Sequence, residues 1–494
     1  MEYREDLMAK APSVRKNYIY NLIYQVMTLI TPFITTPYIS RVLGADGTGV
    51  QSYTNSVVQY FAILAALGTA SYGQREIARH RDEIKIRSRL FWEIEVLCMA
   101  TTAACLIIWL FVIGFAREYR PYYVVLTMTL LAVAFDISWF FGGLEQYSLI
   151  VLRNTAVKLV GIAMLFLFIR ENEHLLLYVA LTAATGLLGN ISMWGYLKGQ
   201  VEKPVLKELR PLRHLKETLV YFIPTIATSV YTILDKTMLG WFSGENKSQN
   251  GYYEYATGFV NMAKILIMSF NAVMSARMSY LFGTGRMEEI HKRFQDSLDF
   301  VLLMAMPIML GLAGIAAQFI PWFLGNGYLP VTFLMYVCSP LVLVVGLSDC
   351  IGSQILTPGG KRAQSGKVIV AGAMVNACLN FLLIPHFAAL GAAAASVAAE
   401  CFITSLYLWL GRDFIKLKML VRYGWRRLVA AVIMLGAVVW TGQFLEQVRG
   451  LGPITTFIQI GAGAVVYFLV LLVMRDPFLY QYLGKIYRRL TGQP

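Results

Sequence analysis

Asp235 and Lys236 stand side by side in "TSVYTILDKTMLGWF" (228–242), within an apolar stretch that starts near Thr218. Neighbouring helical residues point about 100° apart, so these two charges cannot pair well with each other. Four residues away lie Tyr231, Thr232, Leu239 and Gly240, none of opposite charge. Each charge needs a partner on another helix or a polar interior, since a charge left in lipid costs about 2.5–3.5 kcal/mol on insertion scales. Others share the predicament. Lys158, Lys264 and Glu400 fall inside apolar runs, Asp136, Arg277 and Asp349 lie nearer their inner ends, Glu93 and Glu95 begin another run, and Arg41 closes the first near its outer end. Two chemistries fit: interhelical salt bridges, with Asp235 and Lys264 at comparable depth on adjacent spans, or a charge-lined transport cavity. For Lys158, Arg41 and Arg277 a structural role includes snorkelling to the interface.

Neutral polar residues also recur at helical spacing. Asn17, Asn21, Gln25 and Thr28 mark one face of the first run, and Gln51, Asn55 and Gln59, four apart, mark the next. One polar stripe per helix predicts either interhelical hydrogen bonds or facing walls of a wet cavity. The small residues of "GAAAASVAAE" (391–400) predict close helix packing, with Glu400 the exception. "LGADGTG" (43–49) lacks the Lys-Ser/Thr ending of a phosphate-binding loop and reads as a turn between helices. Cys98, Cys105, Cys338, Cys350, Cys378 and Cys401 all sit in apolar segments without a CxxC, which predicts small buried hydrophobes. With five scattered histidines, neither a metal site nor a cofactor is expected.

The elements that must position these residues follow from composition. The 494-residue chain is 57% hydrophobic and 15% charged, against roughly a quarter charged in soluble domains. Its mean hydropathy is +0.57. Apolar runs near the roughly 20 residues that cross a bilayer recur throughout, so the expected class is an all-α polytopic membrane protein with about 14 transmembrane helices. They are placed at 17–40, 51–73, 92–115, 122–142, 149–169, 175–197, 218–242, 253–281, 297–320, 329–356, 364–385, 388–410, 428–445 and 453–474. "MEYREDLMAKAPSVRK" does not read as a cleavable signal peptide, so the first helix is expected to remain as an anchor.

The net charge of +14 lies mostly in loops such as "QREIARHRDEIKIRSR", "KGQVEKPVLKELRPLRHLK" and "GRDFIKLKMLVRYGWRR". That is the positive-inside pattern of a membrane protein with cytoplasmic N- and C-termini, not a nucleic-acid surface. In "DPFLYQYLGKIYRRL", Phe478, Tyr482, Ile486 and Leu490 share a face opposite Lys485, Arg488 and Arg489, which predicts a helix on the inner membrane surface. The longest outer loop, "SGENKSQNGYYEY", has no room for a catalytic domain, and an enzyme is not expected.

An internal repeat is visible. Pro32, "VLG", Gly49 and "VQSY" in the first run match Pro224, "MLG", Gly251 and "YYEY" in the seventh, while Asp136 before Gly142 matches Asp349 before Gly352. Two six-helix halves in parallel orientation are a transporter architecture. The expected division is an N-terminal lobe 1–197, a basic cytoplasmic linker 198–217, a second lobe 218–410, two additional helices 411–474 and an amphipathic tail 475–494.

"PYISRVLGADGTGVQSYTNSVVQYFAILAALGTASYGQREIARHRD" (37–82) resembles the first helical hairpin of bacterial polysaccharide-biosynthesis flippases, the Wzx-type branch of the MATE-like MOP transporter superfamily. The match lies in Arg41, Leu43, Gly44 and Gly49 and in "YGQREIARHR"; "FDISWFFGGLEQYSLIVLRN" (135–154) resembles the same branch's fourth-to-fifth-span signature. Asp235-Lys236 is not part of that resemblance. It implies two six-helix lobes in a V around a cationic cavity, plus two C-terminal helices. It also implies a transporter in the bacterial plasma membrane. Such a protein passes an undecaprenyl-pyrophosphate-linked oligosaccharide from the inner to the outer leaflet by alternating access, for surface polysaccharide such as O-antigen or capsule.

A pyrophosphate draws charge-assisted hydrogen bonds that strengthen at low dielectric. On that resemblance Arg41 is carried over as the best-matched candidate for the phosphates, with Lys158, Lys264 and Arg277 added by their depth; Lys236, Asn21, Gln25, Gln51 and Asn55 are further substrate-binding candidates read from the residues themselves. Asp235, Glu400, Asp136 and Asp349 are candidates for ion pairs or for a coupling H+ or Na+. A polysaccharide polymerase and other assembly proteins are the expected partners beside membrane lipids. The alternative is a cation-coupled multidrug antiporter of the same superfamily, which would centre on acidic groups.

Overall fold

The computed structural model describes residues 14–415 and 417–481, with side chains from Met27 onward except at 206, 223–225, 227, 228, 230, 231, 417–420, 422 and 423. The helices are α1 (Val14–Ala66), α2 (Thr69–Arg79), α3 (Ile84–Phe115), α4 (Arg120–Ala134), α5 (Ser138–Gly143), α6 (Tyr147–Phe168), α7 (Leu175–Met193), α8 (Leu215–Phe242), α9 (Ser248–Gly283), α10 (Met287–Phe323), α11 (Leu329–Cys338), α12 (Leu341–Ile351), α13 (Arg362–Leu410), α14 (Leu417–Arg449) and α15 (Pro453–Val473). Large apolar side chains point outward along them, including Phe111 and Trp440, which are 64% and 68% exposed. Water would not tolerate such a belt and lipid does. The protein is a multi-pass, all-helical membrane protein.

Nine helices among the described residues are long and apolar enough to cross a membrane, or ten when the pair α11–α12, bent by 41°, counts as one. The expectation was about fourteen, and one counted helix, α13, holds two of the expected spans. α13 has 49 residues, about 74 Å if straight, more than twice a hydrocarbon core. It is divided at Ala388, whose φ of 48° is rare for a residue with a side chain. Beside that break a Cβ on Gly391 would lie 2.4 Å from the Leu383 carbonyl oxygen, so only glycine fits. α1 is divided likewise at Gly44, φ 68°, which makes "LGADGTG" the expected turn compressed to one residue.

The chain forms two compact units, Met1–Thr237 and Met238–Pro494, divided inside α8. In the first, α1 packs against α3, α4 and α6, α4 against α7, and α2 against α5. The last contact unites the two motifs behind the family resemblance. A Cβ on Gly73 of "YGQRE" would meet the Trp139 ring of "FDISWFFGG" at 2.5 Å, and one on Gly143 would meet the Gln74 carbonyl oxygen at 2.8 Å. Trp139 also stacks on Phe91 of α3, with centroids 5.7 Å apart.

The basic segment 198–217 lies along the start of α3. Glu202 N–H donates to Ser88 Oγ (2.8 Å), Trp92 Nε1 to the Glu202 carbonyl (2.9 Å) and Arg87 Nη2 to the Gln200 carbonyl (2.7 Å). Glu93, with no exposed surface, accepts from Arg89 Nε (3.1 Å) and Arg210 N–H (2.9 Å) and pairs with Arg213 and His214.

In the second unit α14 and α15 pack together and against α10. A buried ionic knot pins them. Arg427 Nη1 donates to Asp299 Oδ1 (2.8 Å), and Arg427 Nε donates to Asp476 Oδ2 (3.3 Å). Asp476 Oδ1 accepts the N–H groups of Phe478 (3.1 Å) and Leu479 (3.0 Å). The expected surface helix of the tail is therefore corrected at its first residue. Phe478 is buried under Arg427 rather than laid on a membrane, because its backbone is held by Asp476. Tyr482, Ile486 and Leu490 lie outside the described residues.

The small-residue stripe packs as expected, with Gly391, Ala392, Ala393, Ala395, Ser396 and Ala399 buried and Ser396 Oγ 3.1 Å from the Tyr253 hydroxyl. Four cysteines are buried, but Cys378 and Cys401 are exposed, since apolar side chains on a membrane helix can face lipid as readily as protein.

Candidate functional site

The first unit contains a pocket of about 270 Å³ whose walls come from α1, α4 and α7. From α1 come Gln51, Asn55 and Gln59, the whole stripe singled out by its four-residue spacing. From α4 come Leu126, Thr129 and Ala132, three apart, and from α7 Val179, Thr182, Ala183 and Gly186, the i, i+3, i+4, i+7 face of a helix. The floor is small because these faces carry Ala and Gly where a bulky side chain would close the gap. Nothing lies within 4 Å of a Cβ placed on Gly186. Asn190 Nδ2 donates to the Ala132 carbonyl (2.7 Å) and fixes α7 on α4 beside the pocket. Amide and hydroxyl groups can both donate and accept hydrogen bonds, which is what a sugar hydroxyl requires.

The remaining candidates of the first unit lie as follows. Lys158 Nζ donates to Thr28 Oγ1 at 2.7 Å, so α6 reaches the polar face of α1 that begins with Asn17. The side chains of Asn17, Asn21 and Gln25 lie outside the described residues. Arg41 is exposed and donates through Nη1 to the Pro37 carbonyl (2.9 Å), one turn back on its own helix. Asp136 sits at the α4–α5 break, where Oδ1 accepts the Ser138 N–H (3.0 Å). Asp235 is buried and Lys236 half-buried on α8. One residue on, Thr237 Oγ1 donates to Ser56 Oγ of α1 (2.9 Å).

In the second unit, Lys264 of α9 is half-buried, and Glu400 of α13 is the carboxylate whose charge acts on it. Asp349 closes a buried network in which Asn271 Nδ2 donates to Asp349 Oδ2 (2.9 Å) and Gln354 Nε2 donates to Asn271 Oδ1 (3.1 Å). Gln354 belongs to a π-helical turn, Gly352–Leu356, a local widening that often accompanies function. Arg277 lies elsewhere, exposed, with Nη2 3.0 Å from Glu289 Oε1 and its guanidinium over the Tyr280 ring. Glu289 also holds Arg286 and Arg293, at 3.7 and 3.6 Å.

The structure thus gathers Gln51 and Asn55 in one pocket and places Lys264 in the field of Glu400. Arg41 and Arg277 are placed at exposed positions. Sequence reading missed Thr129 and Thr182, whose signal was a hydroxyl inside an apolar run at helical spacing from Ala and Gly. It also missed Arg153 of α6, whose Nη1 lies 3.6 Å from where a Cβ on Gly189 would stand. Among the described residues no group of three or more His, Cys, Asp or Glu is arranged to hold a metal ion.

Residues 14–281 match the family described as polysaccharide biosynthesis protein. A protein of Escherichia coli (strain K12), provisionally named an O-antigen transporter, is 23% identical over 406 residues, covering 81% of this chain and 97% of its own. A Shigella dysenteriae protein with the same provisional name is 21% identical over 80% of this chain and 99% of its own. Among solved structures, the lipid II flippase MurJ in an inward closed conformation superposes with a TM-score of 0.69 at 14% identity, over 93% of this chain and 99% of that one. An inward-facing multidrug resistance MATE transporter of the MOP superfamily gives 0.58 at 12% identity, over 78% and 97%. At such identities the structures establish the fold alone.

Proposed function

Because the chain belongs to the polysaccharide biosynthesis protein family, we propose that it is a flippase for lipid-linked oligosaccharide. Its substrate on this reading is an undecaprenyl-pyrophosphate-linked repeat unit, moved from the inner to the outer leaflet of the plasma membrane by alternating access. The observation that carries the reading is the pocket of the first unit, where Gln51, Asn55, Gln59, Thr129 and Thr182 offer amides and hydroxyls within a bundle otherwise built for hydrocarbon. Polar groups at that depth cost stability unless something polar visits them. Sugar hydroxyls match their donor and acceptor capacity.

The pyrophosphate falls to the basic candidates. Lys158, held on the polar face of α1, and Lys264, in the field of Glu400, lie within apolar runs. Lys236 on α8 joins them, as do Arg41 and Arg277 at exposed positions. Asp235, Asp136, Asp349 and Glu400 are assigned to ion pairing or to a coupling cation. The O-antigen names of the sequence relatives and the lipid II substrate in the MurJ name agree with a lipid-linked glycan cargo.

The test is leaflet-resolved flipping in proteoliposomes loaded with a defined undecaprenyl-pyrophosphate oligosaccharide. The expected result is that lipid from the inner leaflet becomes accessible to an impermeant reagent faster than in empty liposomes. Equal rates with and without protein would refute the proposal, as would normal surface glycan in a clean deletion strain.

A further inference from the structure

Glu95 lies about 17 Å along α3 from Ile84, within a candidate membrane span. It is 1% exposed, and among the described residues neither carboxylate oxygen has a hydrogen-bond partner. Two residues earlier Glu93 is equally buried but has Arg89, Arg213, His214 and a backbone N–H around it. The contrast separates them: Glu93 is a structural anion, whereas among the described residues no donor or cation pairs with Glu95. One and two turns further on the same face come Cys98, whose Sγ donates to the Val133 carbonyl (3.8 Å), and Thr102, which is also buried. Thus α3 presents Glu95, Cys98 and Thr102 to the end of α4. Asp136 follows there at the α4–α5 break, and it is the one charged group acting on Glu95 among the described residues.

An uncompensated carboxylate in a dry interior costs several kcal/mol, and a second negative charge nearby adds to it. Asp136 has the Ser138 N–H to support its charge. Glu95 does not. We infer that Glu95 is a proton-binding site of the first unit, loaded while α3 and the α4–α5 break are closed together and emptied when they part, and that this proton exchange drives the transport cycle. The step moves one proton: hydronium and the Glu95 carboxylate give water and the carboxylic acid. The inference rests on the flippase reading only for its coupling to transport.

Infrared titration of the purified protein in lipid nanodiscs tests the site. At neutral pH the wild type should show a protonated-carboxyl band that Glu95→Gln removes. Asp136→Asn, which deletes the neighbouring negative charge, should shift loss of the band to lower pH. A wild-type spectrum that Glu95→Gln leaves unchanged would overturn the site, and so would a band abolished by sodium at constant pH, which would mark a metal cation instead. In proteoliposomes, an imposed pH gradient should accelerate wild-type flipping and leave Glu95→Gln unaffected. A variant that responds like wild type overturns the coupling. If wild type flips nothing, the flippase reading fails while the infrared result still decides the proton site.

Discussion

His214 Nε2 lies 2.9 Å from Oε2 of Glu93, and its Nδ1 lies 2.7 Å from the Tyr72 hydroxyl. One imidazole therefore ties the segment before α8 to both α2 and α3. The carboxylate it meets is fully buried, and its other contacts come from Arg89, Arg210 and Arg213.

Glu93→Ala removes the acceptor for all of them. Hydrogen bonds to charged groups contribute about 1.5–3 kcal/mol each, less where the partner reaches water as Arg89 and Arg213 do. The expected loss is about 2–3 kcal/mol, read as a lower thermal midpoint in detergent together with faster tryptic cutting within 198–217. Unchanged melting and unchanged cutting would show that the segment is held some other way.

Gly73→Ala should be among the costliest single-methyl changes in the first unit. Its Cβ would enter the Trp139 ring at 2.5 Å, and overpacking of that kind costs about 1–3 kcal/mol. Gly114→Ala is the control, with nothing within 4 Å of the added atom. Equal melting temperatures for the two variants would contradict the close α2–α5 contact.

For the C-terminal pair, Arg427→Ala leaves Asp476 buried without its cation. Breaking one side of such a pair costs about 3–5 kcal/mol. Residues 417–481 should then become protease-sensitive before the rest of the second unit does. Adding Asp476→Ala to Arg427→Ala should cost less than the sum of the two single changes, because they share one interaction. Strict additivity would argue against the knot.

Filling the pocket should separate transport from folding. Gly186→Leu adds bulk where space is open, so stability should hold within about 0.5 kcal/mol while flipping of lipid-linked oligosaccharide falls at least about tenfold, or 1.4 kcal/mol. Gln51→Leu with Asn55→Leu should act similarly, since each lost hydrogen bond is worth about 1 kcal/mol. Full transport by either variant would place the sugar path elsewhere.

Much of this was legible in the residues themselves. Apolar run length announced membrane helices, and the spacing of Gln51, Asn55 and Gln59 announced a shared face, because periodicity is a local property of the chain. The motifs around Gly73 and Trp139 announced a family. The break in α13 was legible too, since Pro385 and His386 interrupt the apolar run between the spans expected at 364–385 and 388–410. Less legible was that a single torsion, at Ala388, would make the turn.

Which charges are structural and which are available could not be read from types and order. Glu93 and Glu95 are two residues apart on one helix, alike in burial, yet among the described residues one is surrounded by donors and the other has no hydrogen-bond partner. Partners arrive from residues more than a hundred positions away in the chain, such as His214 on Glu93. A one-dimensional pattern specifies what each helix must bury, whereas the identity of the neighbour across the gap is decided only when the helices pack. That is why membrane embedding and the polar stripe belong to the sequence, and why the pocket, the strap on α3 and the unpartnered carboxylate belong to the tertiary structure.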